Sequence, residues 1–293
     1  MTRVARAVLA GTLVVAVAVA GCGGGDSGES GGVFTGVPLE LQDPGPVHVH
    51  GLGYDKGSGT LYIATHTGMF ELSAAASTAV RIGDRHQDTM GFTLVEPGRF
   101  LGSGHPDARD DLPSRLGLIE SMDRGRSWRT LSLSGEADFH VLRAQGRSVY
   151  GFDVAAKRLL ASSDGGRTWA ERAAPEHLVD LAIDPDDAEH LLASGGAVLY
   201  RSVDGGRSWS PAASGVAGYL AWPVARRLFV ATLDGALLTA TSAEGPWRAR
   251  GSLAGEVAAL HASGGTALYA ALHDGTIKQS DDGGTTWQVR STP

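Results

Sequence analysis

Residues 162–169 read Ser-Ser-Asp-Gly-Gly-Arg-Thr-Trp, and this stretch recurs along the chain. Close copies occupy residues 121–128, 202–209 and 280–287, and a degenerate copy covers residues 241–247. The five copies end in tryptophans that are separated by 41, 40, 38 and 40 residues. A period in this range is typical of supersecondary units that stack or close into a ring. The repeat therefore favours one large domain in this chain of 293 residues.

Short β-prone runs separated by glycine fill the region between residues 47 and 291. No stretch keeps apolar residues at helical spacing for more than two turns. Six units of about 41 residues, each with about four strands, predict an all-β fold, namely a six-bladed β-propeller of four-stranded antiparallel blades. The first unit begins at residue 47, and the others are predicted at 88–133 with an insertion at 105–114, 138–173, 178–213, 215–253 and 256–291.

A seven-bladed ring is the alternative, and it would need residues 33–46 to form a whole blade. Those 14 residues include Pro44 and Pro46. Four strands of about 5 to 6 residues each do not fit into so short a segment. We therefore predict that this segment adds one edge strand at most, and that a single propeller domain spans residues 33–293.

The repeated stretch has the composition of a hairpin turn. Its glycines lie between two β-prone runs, where glycine adopts positive φ at little steric cost. The aspartate carboxylate can accept backbone N–H groups within the turn, and the tryptophan buries a large ring in the adjoining strand. We predict structural roles for the aspartates and tryptophans of the four close copies, which are Asp123, Trp128, Asp164, Trp169, Asp204, Trp209, Asp282 and Trp287.

These repeats resemble the Asp-box, or bacterial neuraminidase repeat (BNR), of sialidase-like and glycosyl-hydrolase-like β-propellers. The resemblance is strong over residues 121–287 and extends through the repeat to residues 47–291. It implies that each box lies on the hairpin between the two outer strands of a blade and carries no catalytic residue. This chain lacks the Arg-Ile-Pro signature of true sialidases, and it has histidine and aspartate where their arginines are expected. The resemblance therefore implies a sialidase-like propeller that does not cleave sialic acid.

The first 32 residues predict export and anchoring. Two arginines precede an apolar run of 14 residues, and small residues lie directly before Cys22, the only cysteine. This is the pattern of a signal peptide, and the run is shorter than the roughly 20 residues that cross a bilayer. It resembles a bacterial lipoprotein signal, which implies cleavage after residue 21 and lipid attachment to Cys22. The glycine- and serine-rich residues 22–32 are predicted to be a flexible tether.

The expected setting is therefore extracytoplasmic, with the propeller held at the bacterial cell membrane by the lipid on Cys22. The formal net charge is −7. An acidic balance argues against nucleic acid as a partner, because phosphate binding needs a clustered basic surface. We expect a monomer.

Histidines concentrate where the chain is predicted to approach the channel of the propeller. His48 and His50 are two residues apart on the first inner strand, so their side chains project from the same face. Laying the units over one another aligns His140 with His50 and puts three further histidines at the end of a second strand. The ligand-binding set predicted at this channel mouth is His48, His50, His66, Asp88, Met90, His105, His140 and His273, with Asp180 in the equivalent place of unit four.

Three interpretations of this mouth remain open. The simplest is a solvent-filled opening whose histidines only form hydrogen bonds. The second is a zinc or copper site, with Met90 favouring copper. The third is a pocket for a glycan or another small molecule, in which Asp88 and His140 are candidate catalytic residues of a glycoside hydrolase. A scaffold that assembles other envelope proteins is a further alternative. The candidate metal ligands are His48, His50, His66, His105 and His140.

Overall fold

A computed structural model describes residues 45–293 of the protein. The described residues belong to one compact unit. The predicted signal peptide, the lipidation site at Cys22, the tether and nearly all of segment 33–46 lie outside the described residues. Between residues 45 and 293, no helix has the length and apolar character needed to cross a membrane.

The described residues form six four-stranded sheets, each built from consecutive antiparallel strands. These sheets are the blades of a six-bladed β-propeller, which confirms the predicted fold and shows that the seven-bladed alternative is wrong. The strands of blades one to three are β1 (Val49–Asp55), β2 (Thr60–Thr65), β3 (Gly68–Leu72), β4 (Val80–Arg81), β5 (Asp88–Glu96), β6 (Arg99–His105), β7 (Leu118–Ser121), β8 (Arg129–Ser132), β9 (Phe139–Gln145), β10 (Ser148–Asp153), β11 (Arg158–Ser162) and β12 (Ala170–Arg172). Those of blades four to six are β13 (Leu178–Asp184), β14 (Asp187–Gly195), β15 (Val198–Ser202), β16 (Ser210–Ser214), β17 (Tyr219–Val224), β18 (Arg227–Ala231), β19 (Ala236–Ala240), β20 (Arg248–Ser252), β21 (Val257–Ser263), β22 (Ala267–Leu272), β23 (Ile277–Ser280) and β24 (Gln288–Ser291).

The first strand of every blade faces the centre of the ring. Each first strand contacts the first strand of the next blade, and β21 contacts β1. Side chains of β24 also fasten blade six to blade one: Ser291 Oγ accepts a hydrogen bond from Ala79 N at 3.3 Å, and Arg290 Nη2 donates to Ala74 O at 2.9 Å. The ring is therefore closed by packing and side-chain contacts between complete blades.

Apolar side chains fill the spaces between neighbouring blades. The second strand of blade one, β2, is buried at all six positions, because a strand in the middle of a blade has another blade against each face. Between blades one and two, Tyr62 packs edge-on against Phe100 with ring centroids 4.7 Å apart, and Phe92 joins the same cluster. Since each cluster belongs to two blades, packing fixes the relative position of residues at their inner ends.

The four close copies of the repeat form turns between the third and fourth strands of a blade. In the turn at 162–169, Ser162 Oγ donates to Asp164 Oδ1 at 2.7 Å and accepts from Gly166 N at 2.9 Å. Asp164 Oδ1 also accepts the backbone N–H of Thr168 at 2.9 Å. These bonds hold the turn from within. In the turn at 202–209, hydrogen bonds from the hydroxyl and backbone N–H of Ser208 and from the Ser202 hydroxyl lower the pKa of Asp204 to about 2.

Each turn also packs against the preceding blade. Gly166 has φ +89°, a backbone conformation that favours glycine, and a Cβ there would lie 2.2 Å from Leu118 Cδ2 of blade two, so that side chain would have to shift. Trp169 Nε1 donates to Ser132 Oγ of blade two at 2.9 Å. The turn residues therefore have structural roles, and chemistry must be sought elsewhere.

Candidate metal centre

The mouth of the channel is the end where first strands begin and second strands finish. The backbone pairs the residue before each first strand with the residue that ends or follows the second strand. His66 N donates to His48 O at 3.2 Å, and His273 N donates to Glu256 O at 2.9 Å. Asp88 pairs with His105 in the same place. The structure thus puts His66, His105 and His273 at one repeat position.

A β-bulge lies near the start of the first strand in five of the six blades. A bulge inserts one unpaired residue and re-aims its side chain. His50 in blade one and His140 in blade three are bulge residues, as the predicted alignment requires. In blade two the bulge residue is Met90, and in blade four it is Val179.

The alignment of Asp180 with these residues is wrong by one position. Asp180 pairs with Ser194 immediately after the bulge, so its side chain leaves the strand in a different direction. It is buried in the channel wall and forms an ion pair with Arg143 Nη2 at 2.5 Å. Its Oδ2 also accepts Leu220 N of blade five at 2.9 Å. Burial raises the pKa of Asp180, and the Arg143 charge opposes that effect. Asp180 therefore belongs to the packing of the channel.

Three predicted residues meet at the junction of blades one and two, and we call His50, His66 and Asp88 the first cluster. Asp88 Oδ2 lies 2.8 Å from His66 Nδ1, and Asp88 Oδ1 lies 3.4 Å from His50 Nε2. One ligand atom from each residue lies within 4.8 Å of the other two. The side chain of Asp88 is 11 % exposed and that of His66 is 62 % exposed, so solvent reaches the cluster from the His66 side.

Two atoms of the first cluster are buried without a hydrogen-bond partner among residues 45–293. They are His50 Nε2 and Asp88 Oδ1, which face each other. Buried polar atoms are nearly always paired, because leaving one unsatisfied costs about 1–3 kcal/mol. An imidazole nitrogen and a carboxylate oxygen are both acceptors when the groups are in their metal-binding forms. A cation between them would satisfy both atoms.

The spacing suits a transition metal. Zinc bonds to histidine nitrogen and carboxylate oxygen at about 2.0–2.2 Å, which places ligand atoms of a tetrahedral site about 3.4 Å apart. The separation of His50 Nε2 from Asp88 Oδ1 is 3.4 Å. His66 Nδ1 is a hydrogen-bond length from Asp88 Oδ2, so it would move outward by a few tenths of an ångström on ligation. Three protein ligands would leave a fourth position open.

His48 borders the first cluster. Its imidazole centroid is 6.1 Å from that of His66, and its φ is +51°. A non-glycine residue in this left-handed region is uncommon and is often found where surrounding structure imposes it. His177 occupies the same repeat position in blade four and has φ +53°. The shared conformation shows that the backbone leading into the first strand of a blade, and not the first cluster alone, sets the positive φ of His48.

A second cluster lies at the junction of blades two and three and consists of His105, Asp138 and His140. Both histidines approach one oxygen: Asp138 Oδ2 is 3.2 Å from His140 Nε2 and 3.7 Å from His105 Nε2. His105 Nδ1 is also 2.7 Å from the carbonyl oxygen of Ser114. The hydrogen bond from His140 is the main cause that lowers the pKa of Asp138, with the charges of both histidines adding to it.

Gly104 allows the second strand of blade two to reach this place. Its φ is +137°, and a Cβ there would lie 2.1 Å from the carbonyl oxygen of Asp88. Any side chain at 104 would push β6 away from β5, and with it His105 away from Asp138. The position of His105 therefore depends on the glycine that precedes it.

A cavity of about 360 Å³ continues from the mouth along the channel. His50 and His140 line its upper part, and His261 lines its wall. Burial lowers the pKa of His261 to about 4, and its Nε2 accepts a hydrogen bond from Tyr54 N at 3.3 Å. His261 is thus a neutral structural residue of β21 at physiological pH.

The site residues predicted at the channel mouth therefore fall into separate groups. His50, His66 and Asp88 come together, His105 and His140 meet at a separate carboxylate, and His48 borders the first group. Within the described part of the chain, His273 is in neither cluster, and Met90 is the bulge residue of blade two. Asp138 was not among the predicted site residues, although it precedes His140 by two positions just as Asp88 precedes Met90 and His48 precedes His50.

The sequence matches no family model and no curated protein. Solved β-propeller structures resemble it in fold. A GH74 enzyme from Niastella koreensis is 15% identical with a TM-score of 0.62, and the match covers 84% of this chain and 45% of that one. A GH74 xyloglucanase from Xanthomonas campestris is 19% identical with a TM-score of 0.56 and the same coverage.

A third similar structure is the extracellular domain of BT4673 from B. thetaiotaomicron. It is 11% identical with a TM-score of 0.55, and the match covers 83% of this chain and 33% of that one. The chain therefore spans less than half the length of these proteins. At such identities the likeness shows the β-propeller fold alone.

Proposed function

We propose that this protein is an extracytoplasmic, lipid-anchored propeller that binds a transition metal ion at its channel mouth through His50, His66 and Asp88. The observation that carries the proposal is the pair of buried, unpartnered acceptor atoms on His50 and Asp88, 3.4 Å apart. The exposed imidazole of His66 supplies the third ligand and the route by which an ion enters. Anchoring through Cys22 rests on the sequence pattern of residues 1–22.

Zinc is the ion that we test first. Two imidazoles and one carboxylate suit zinc, and nitrogen and oxygen donors also suit copper(II). Copper(I) prefers thiolate and thioether sulfur, and Met90 is the sulfur residue nearest in sequence to Asp88. The ion would keep one open position facing the mouth, where water or a small ligand binds.

The glycoside hydrolase hypothesis has weaker support. Such an enzyme needs a carboxylic acid whose pKa is raised so that it can protonate the leaving group. Beside the candidate catalytic residue His140, the nearest carboxyl is Asp138, and the hydrogen bond from His140 lowers its pKa, which makes it a poor proton donor. A flat response to a panel of aryl glycosides, with and without added zinc, is the expected result.

Metal content tests the proposal directly. The protein is purified without a histidine tag, stripped with a chelator and titrated with zinc by calorimetry, with elemental analysis of the loaded form. We expect about one tightly bound ion per chain, as three converging ligands predict. The His50→Ala, His66→Ala double variant should lose this binding.

A matched control removes two histidines elsewhere. His177 and His190 are outside both clusters, and the His177→Ala, His190→Ala double variant should bind zinc as the wild type does. Equal loss of binding in both double variants, or no zinc uptake by the wild type, contradicts the proposal.

A further inference from the structure

We propose that an arginine-lined groove between blades five and six is a second binding site, which takes a ligand carrying phosphate groups. The groove encloses about 480 Å³. Four arginines line it, and no aspartate or glutamate does. The arginines are Arg226, Arg227, Arg248 and Arg250.

The topology places this groove at the end of the propeller opposite the His–Asp mouth. Arg226 lies in the turn from β17 to β18, and Arg227 begins β18. Arg248 begins β20, directly after the turn that follows β19. In an antiparallel blade the turn between strands one and two and the turn between strands three and four are at the same end. The mouth, where strand one begins, is at the other end, so this site is independent of the proposed metal centre.

Two of the four guanidinium groups are held in place by backbone oxygens of blade six. Arg227 Nη1 donates to Gly265 O at 2.6 Å. Arg250 donates through Nε to Gly283 O at 3.2 Å and through Nη2 to Asp282 O at 2.8 Å. Carbonyl oxygens orient a guanidinium group without neutralising its charge. Each of these side chains keeps further N–H donors for a ligand.

The other two arginines have no such restraint. Arg226 and Arg248 are exposed, and neither forms an ion pair with any residue between 45 and 293. The ion pairs of that part of the chain use other arginines, such as Arg143 and Arg158. Four uncompensated positive charges therefore share one groove in a protein whose formal net charge is −7.

The repeat provides an internal comparison. Arg172 of blade three stands in the same relation to blade four as Arg250 does to blade six, because its Nε donates to the turn carbonyl Gly205 O at 3.2 Å. In blade four, Glu189 pairs with Arg207 of that turn at 3.5 Å. The groove between blades five and six keeps the arginine that contacts the neighbouring turn, and no acidic residue lines it.

The chemistry of the lining favours phosphate. Guanidinium groups donate pairs of parallel hydrogen bonds to phosphate oxygens, and charge-assisted bonds of this kind are strong. Four positive charges match a ligand with two or more negative charges better than a single carboxylate. Such phosphate groups could be displayed on a lipid headgroup or carried by a soluble phosphate compound.

Binding of two probes tests the site and distinguishes these sources. The full-length protein is titrated with inorganic tripolyphosphate by calorimetry, and separately sedimented with vesicles of pure phosphatidylglycerol or pure phosphatidylcholine. Binding of tripolyphosphate without vesicle binding supports a soluble phosphate ligand. Sedimentation with phosphatidylglycerol but not with phosphatidylcholine supports a lipid headgroup. Either interaction should weaken as salt is raised.

The decisive variant is Arg226→Gln, Arg248→Gln, which removes the two groove arginines that form no side-chain hydrogen bond or ion pair among the described residues. We expect the probe to bind at least about tenfold more weakly, because one or two charge-assisted hydrogen bonds are lost. The control is Arg126→Gln, Arg147→Gln, which removes the same charge from exposed sites outside the groove. Equal weakening in both variants, or no binding of either probe by the wild type, overturns the proposal. Zinc uptake should be unchanged in both.

Discussion

The two His–Asp clusters at the mouth occupy similar repeat positions, but they differ in how the histidines are arranged around the carboxylate. In each, a carboxylate at or just before the start of the first strand of one blade lies near a histidine at the end of the second strand of the preceding blade. In the first cluster, the remaining histidine is His50 of the preceding blade, and it faces a separate oxygen of Asp88. In the second, it is His140 on the same strand as Asp138, and both histidines approach one oxygen.

The bulge residue accounts for this difference. Blade two carries Met90 where blade three carries His140. Asp88 Oδ1 and Asp138 Oδ1 are both buried without a hydrogen-bond partner among the described residues. Blade one offers His50 to Asp88 Oδ1, whereas blade two has Met90 at the equivalent position beside Asp138. The bulge residue of the preceding blade thus decides whether a histidine faces the free carboxylate oxygen.

Neutralising each carboxylate in turn should have the largest effect on zinc binding. Asp88→Asn should weaken zinc binding by at least about 100-fold, since even the loss of an outer partner of a metal ligand costs 10–100-fold. Asp138→Asn should change the affinity by no more than about threefold, an effect of lost long-range charge. Calorimetric titration of both variants measures the ratio. Similar losses in the two proteins would mean that the clusters do not differ as described.

Exchanging the two bulge residues should create a second site. In the Met90→His, His140→Met double variant, a histidine at position 90 relates to Asp138 as His50 relates to Asp88. We expect the number of zinc ions bound to rise from about one to about two per chain, with the new ion held about tenfold more weakly because the surrounding side chains are not adapted to it. His140→Met alone should leave the number at about one. An unchanged number in the double variant would show that the bulge residue is not what separates the clusters.

The smallest expected effect is on pH-dependent stability. The pKa of Asp138 is lowered in the folded protein, so its contribution is present above the unfolded pKa and is lost as the pH falls through the folded pKa. His140→Ala should therefore reduce the free energy of unfolding by about 1 kcal/mol at about pH 5, and by progressively less as the pH falls and Asp138 becomes protonated in the folded protein. Urea unfolding over a series of acidic pH values measures this. His177→Ala, at an exposed position, should show no such dependence, and a constant difference for His140→Ala would refute the assigned cause.

Much of the fold was predictable because the repeat is regular. The tryptophan spacing predicted six blades, and the predicted first and last units begin and end within two residues of the observed strands, at Val49 and Ser291. The insertion at 105–114 falls between β6 and β7, as expected. Hairpin turns and strand alternation are local properties, so they can be read from neighbouring residues.

The site was less predictable because it depends on contacts between blades. The repeat spacing correctly aligns the three histidines at the second-strand ends, yet only His66 belongs to the first cluster. Asp180 was misplaced by one position because the bulge that precedes it has no sequence signal of its own. Asp138 was missed, although its spacing of two from His140 would have indicated it.

The sequence alone determined the all-β class, the number of blades and the turns that carry the repeat, because each of these follows from local backbone preference and a fixed period. Only the tertiary structure decided which histidine meets which carboxylate. That pairing depends on bulges and on the packing of one blade against the next, and residues such as His50 and Asp88 come within 3.4 Å only across that boundary. The same holds for the arginine groove, which residues of blades five and six line together.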